Sequence, residues 1–122
     1  MNKHLSRDPL GQLDAALASN DMKEAADILF GLTMWGDNAA LAYAATLKCL
    51  HSGHRILRSN AIQSLGHIAR VFGALDESMK EIIEEALADP DEIIRSQAES
   101  AAMDTSGHLK WKFKGWPSEE SI

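Results

Sequence analysis

The chain has 122 residues, 12 Lys and Arg against 18 Asp and Glu, a net charge of −6, five His and a single Cys. That length suits one domain burying roughly two thirds of the unfolded chain's surface, and the lone Cys49 cannot close an internal disulfide. The acid excess argues against a dedicated DNA or RNA binder, no stretch approaches ~20 consecutive apolar residues, and the N-terminus lacks an apolar signal core, so a soluble cytoplasmic domain is expected, bound to neither nucleic acid nor membrane.

Alanine, leucine, glutamate and lysine are abundant, beside only three prolines and seven aromatics. Alternating runs of β-branched and aromatic residues are missing before the C-terminus, so helices are expected throughout. A first helix starts at Pro9, with Asp8 as its cap and proline in the first turn. Leu10, Leu13, Ala16 and Leu17 fall on one face, and Ser19-Asn20 ends it. Asp21 caps a second helix in which Ala25, Ile28, Leu29 and Leu32 share a stripe. Met34-Trp35-Gly36 follows as a turn, with Trp35 expected in the core and an interface anchor as the alternative, and Asp37 or Asn38 caps a third helix.

From residue 38 to 105 the chain repeats with an offset of 37 residues. Leu50 matches Leu87, Ile56 matches Ile93, Leu57 matches Ile94, Arg58 matches Arg95, Ser59 matches Ser96, and Ala61 matches Ala98. Ala42, Ala45, Thr46, Cys49 and Leu50 have helical spacing, and Met79, Ile82, Ile83, Ala86 and Leu87 repeat it. Each unit is helix, turn, helix, with turns at 51–54 and 89–91. A period near 40 with two helices per unit is the signature of HEAT-type repeats. The expected fold is therefore all-α, a HEAT-like stack of about three helical hairpins with a short extended C-terminal tail. Its units span about 38–73 and 75–108, preceded by a divergent helix pair at 9–33 and followed by a tail at 109–122. Asp91 is expected to cap its helix and to pair with Arg95 four residues on. Arg58 and Arg95 are expected to tie the turn of one unit to the next.

The stretches 64–76 (SLGHIARVFGALD) and 86–102 (ALADPDEIIRSQAESAA) resemble small bacterial HEAT-like proteins found with polymorphic toxin systems, including contact-dependent growth inhibition. The resemblance covers roughly residues 38 to 108. It implies an immunity role, in which the protein binds and neutralises a cognate toxin domain in the cytoplasm. It carries over no binding residue. HEAT-like units also serve as adaptors or assembly factors, which is the alternative.

Charge is unevenly spread. Asp76 to Asp104 holds ten acids and two bases, a net −8, and the remaining chain is +2. An acidic face of this kind suits a basic partner such as a nuclease toxin, with association accelerated by electrostatic steering. On the last helix Glu92, Ser96, Glu99 and Met103 form a stripe away from Ile94, Ala98 and Ala101, expected on the concave side of the stack. Arg55, Ser59, Gln63 and His67 are the counterparts one unit earlier. In the tail, lysines 110, 112 and 114 alternate with Trp111 and Phe113 before Trp116. Its aromatics either cover the open end of the stack or serve, as Trp111 and Trp116, as interface anchors. The candidate partner-binding residues are thus Glu92, Ser96, Glu99, Met103, Trp111 and Trp116, with Gln63 and His67 beside them, in a monomer or a 1:1 complex with the toxin.

Neither catalysis, a cofactor nor a metal is expected. The eight glycines form no phosphate loop, and no serine sits in a nucleophile elbow. Cys49 falls on an apolar stripe. His51 and His54 lack two further metal ligands, and Glu81, Glu84 and Glu85 lack the Glu-x-x-His of a di-iron bundle. The ordinary account of His67 is a buried, hydrogen-bonded histidine.

Overall fold

The structure, a computed structural model, describes residues 8–114, 116 and 117. The parts of the expected tail at 115 and 118–122 lie outside the described residues. Six helices follow in chain order: α1 (Pro9–Ala18), α2 (Met22–Met34), α3 (Ala39–Leu50), α4 (Arg55–Phe72), α5 (Met79–Leu87) and α6 (Glu92–Leu109). An isolated bridge joins Phe113 to Trp116, and the described residues contain no strand. The fold is all-α.

Short polar side chains set the helix starts. The Asp8 carboxylate accepts the Gly11 amide at 3.0 Å, Asp21 accepts that of Glu24 at 3.1 Å, and Asp91 that of Ile93 at 2.9 Å. Asn38, not Asp37, caps α3 by accepting the Leu41 amide at 3.0 Å. Each bond satisfies a first-turn amide that has no partner within its own helix. At the far end of α4, Gly73 takes φ 72°, a left-handed cap that a residue without Cβ adopts freely. Arg55 and Glu92 open α4 and α6, Phe72 and Leu109 close them, and both pairs are 37 residues apart.

Packing follows the stripes. Ala42, Ala45, Thr46, Cys49 and Leu50 of α3 are all buried, as are Met79, Ile83 and Ala86 of α5. Their counterparts Ile82 and Leu87 lie half-buried against the same core. Helix α4 is the centre: it packs on its partner α3, on α2 to one side and on α6 to the other, so α2, α4 and α6 lie side by side. Leu57, Ile62 and Leu65 of α4 are fully buried, each such side chain contributing about 1.5–3 kcal/mol. The first helix is fastened by Gln12 to Glu24 at 2.8 Å and by the Asp14–Lys48 ion pair at 2.9 Å.

Trp35 departs from expectation: it is 80% exposed rather than in the core. Buried positions on α2 end at Thr33, and the chain leaves the helix at Trp35. The turn is so tight that a Cβ on Gly36 would lie 2.5 Å from the Leu32 carbonyl oxygen. This close return of the backbone over the end of α2 leaves the indole in water.

Candidate partner-binding surface

Glu92, Ser96, Glu99 and Met103 are all exposed along one side of α6, with Met103 65% exposed. Thirty-seven residues earlier the same register on α4 is Arg55, Ser59, Ile62 and Gly66. There Ser59, Ile62 and Gly66 are buried, and Gly66 lies directly against Ala101 and Asp104 of α6. The stripe on α6 is therefore the open edge of the α2–α4–α6 row, the side on which a further helix would stack. It is not the broad face shared by the second helices, where the spacing suggested a concave surface. Glutamate and serine give this side of the last helix a polar surface.

The ten acids of residues 76–104 divide by type. Every aspartate is engaged within the fold. Asp76 accepts the Ser78 amide and hydroxyl at 2.9 and 2.6 Å, Asp89 lies 3.8 Å from Arg58, Asp91 is held by Arg55, and Asp104 lies 3.9 Å from Arg70. Glu84 accepts the Lys114 amide at 3.0 Å. Glu77, Glu81, Glu85, Glu92 and Glu99 are exposed and have no partner among the described residues. The exposed charge of this segment is thus carried by glutamates on α5, α6 and the loop before α5.

The turns at 51–54 and 89–91 face one another across a cleft of about 500 Å³ lined by His51, His54, Arg55, Arg58, Asp89 and Asp91. Arg55 and Asp91 meet through both the guanidinium Nε and Nη2, the latter at 3.0 Å from Oδ1. This hydrogen bonding holds the Asp91 carboxyl down at about 2 and raises Arg55. The expected Asp91–Arg95 pair does not form, because Asp91 turns across to α4. Arg95 donates instead to the carbonyls of Asp89 and Pro90 at 2.9 and 3.0 Å. Both repeated arginines therefore work on the 89–91 turn, one from each unit. Arg95→Ala should lower stability by about 1–2 kcal/mol through these two charged hydrogen bonds. Arg58→Ala, losing a long exposed pair, should change it by less than about 0.5 kcal/mol. Urea midpoints at unchanged slope are the measure.

The remaining candidates are placed inward. His67 is 7% exposed beneath the Phe30 ring, whose centroid lies 5.9 Å away, so it is no open contact residue. Its Nδ1 is buried with no partner among the described residues, contrary to the expected hydrogen bond. Gln63, one turn earlier, is half-buried. Trp111 and Trp116 are half-buried against the core on either side of Phe113, which is 6% exposed. The tail aromatics thus pack on the core, while lysines 110, 112 and 114 face solvent. Burial pushes the Cys49 thiol up to about 11, leaving it protonated at neutral pH.

The close approach at Gly66 and the Arg55–Asp91 and Arg70–Asp104 bridges escaped the sequence reading. The repeat offset held the signal, since each joins positions 34 to 38 residues apart. Among the described residues no cluster of three or more His, Cys, Asp or Glu could hold a metal, and no helix is long and apolar enough to cross a membrane. No protein-family model matches the chain, and no curated protein or solved structure does either.

Proposed function

We propose that this chain is an immunity protein of a bacterial toxin system, a HEAT-like stack of three helical hairpins that binds a basic toxin domain and occludes its active site or substrate entry. The observation that supports this most is the exposed edge of α6. Glu92 and Glu99 stand there unpaired beside Ser96 and the exposed Met103, within a segment of net −8. A nuclease domain carries a basic surface for phosphates, and carboxylates on a rigid helix imitate that charge while Met103 supplies an adaptable apolar contact. The role is binding and not catalysis, in the cytoplasm, as a 1:1 complex. The resemblance of residues 38–108 to HEAT-like immunity proteins points the same way.

The test is co-expression with the polypeptide encoded immediately upstream, scoring growth and then co-purification at low and high salt. Rescued growth with a salt-sensitive 1:1 complex is the expected result. A harmless upstream product, or the absence of a complex, would leave the adaptor reading in its place. The paired substitution Glu92→Lys and Glu99→Lys should weaken the complex at low salt by roughly tenfold or more. Stability should move by less than about 0.5 kcal/mol, since both sites are exposed. Unchanged affinity would remove the α6 edge from the interface.

A further inference from the structure

Positions 30, 67 and 104 lie 37 residues apart in succession, and they place Phe30, His67 and Asp104 in one row across α2, α4 and α6. The Phe30 ring tilts at 56° to the imidazole with centroids 5.9 Å apart. Asp104 lies over Gly66, next to His67, and 3.9 Å from Arg70, which sits one turn further along α4. His67 is 7% exposed, and its Nδ1 is buried without a partner among the described residues. A neutral imidazole tolerates a bare ring nitrogen in this position. An imidazolium turns that nitrogen into a charged N–H donor with no acceptor, under an aromatic ring and beside a guanidinium.

We propose that His67 is a pH-sensitive latch on the α2–α4 seam: neutral, it lets α2 close over α4, and on protonation it releases the N-terminal helix pair. The charged groups that act on it are Arg70 of α4, which opposes protonation, and Asp104 of α6, which favours it while shared with Arg70. From α2 the ring of Phe30 faces it, and no charged group of α3 or α5 acts on it among the described residues. Burial, then Arg70, hold the imidazole below its ordinary 6.5. The released state, with a solvated histidine, takes up the proton first. The seam is therefore fully stabilised above about pH 6.5 and loses stability as pH falls below it, its opening constant rising by up to about tenfold per pH unit.

The test is an NMR titration of the full chain from pH 7.5 to 5, with the pH dependence of the urea midpoint measured beside it. His67 should titrate below 6.5, and the signals of Phe30 and Thr33 should change in step with it while those of Ile83 and Ala98 hold. His67→Phe keeps a ring against Phe30 and cannot titrate, and it should flatten the urea dependence. The other four histidines are common to both proteins and cancel in the comparison. A His67 midpoint at or above 6.5, α2 signals indifferent to its titration, or an equal slope in the variant would each overturn the latch. Should His67→Phe fail to fold, the wild-type titration decides alone.

Discussion

Phe113→Ala should lower stability by about 3 kcal/mol, and truncation after Lys110 should lower it by the same amount. Helix α6 ends in a left-handed turn at Lys110, φ 62°, and the Trp111 amide returns to the Thr105 carbonyl at 3.3 Å. From there the tail is held by convergent contacts on one ring. Phe113 is 6% exposed, meets Trp111 and Trp116 edge-on at 6.2 and 6.3 Å, and is followed by the Lys114 amide bonded to Glu84. Replacing a buried phenylalanine by alanine costs about 3–5 kcal/mol where the site cannot collapse. A short tail can instead detach, so the loss is capped at the free energy of docking it. That cap is why the substitution and the truncation should agree. Lys112→Ala, on the solvent side of the same segment, should fall within about 0.5 kcal/mol of wild type. Fluorescence gives a second measure: Trp111 and Trp116 should shift to the red in Phe113→Ala, against a constant background from the exposed Trp35. A loss below about 0.5 kcal/mol with unshifted emission would show that the tail contributes nothing to the core.

What could be foreseen in the sequence divides along a physical line. Helix starts depend on a side chain two or three residues from the amide it satisfies, so Asp8, Asp21 and Asp91 announce themselves locally. The apolar stripes of α3 and α5 are periodic within one helix and were equally open to reading. The 37-residue offset went further, since it aligned α4 with α6 at both ends. What it could not say is which side of each helix meets its neighbour. In the stripe Glu92, Ser96, Glu99 and Met103 the last three have buried counterparts on α4, Ser59, Ile62 and Gly66, while their own side is open because the row ends at α6. Trp35 failed for a related reason: a bulky apolar residue beside an apolar stripe belongs to the core only while the helix continues, and α2 stops one residue before it. Asp91 had two arginines within reach of its position, and the nearer in sequence, Arg95, lost to Arg55 because the 51–54 and 89–91 turns lie side by side.

The same glycine-to-alanine substitution should have opposite signs at two places on the α4–α6 pair. At Gly66 a Cβ would stand 2.9 Å from the Ala101 Cα and 2.8 Å from an Asp104 carboxylate oxygen. The carboxylate can swing away, though only by loosening its approach to Arg70. The Ala101 backbone cannot, because Ala98, Ala101 and Ala102 fix α6 against the core with no exposed surface. Alanine in a helix interior gains about 1 kcal/mol over glycine, whereas overpacking a fixed contact costs about 1–3 kcal/mol. The upper part of that range applies where the obstacle is backbone, so Gly66→Ala should be destabilising by about 1–2 kcal/mol net. At Gly107, also helical, nothing lies within 4 Å of the added methyl group. There the propensity gain stands alone, and Gly107→Ala should stabilise by about 0.5–1 kcal/mol. Urea denaturation of the two variants beside wild type decides it. If both stabilise, α4 and α6 can slide apart to admit a methyl group, and the close packing of the second helices is looser than Gly66 implies. If Gly66→Ala destabilises while Gly107→Ala does not, the α4–α6 contact is a fixed surface, one that holds α6 in a single orientation against α4.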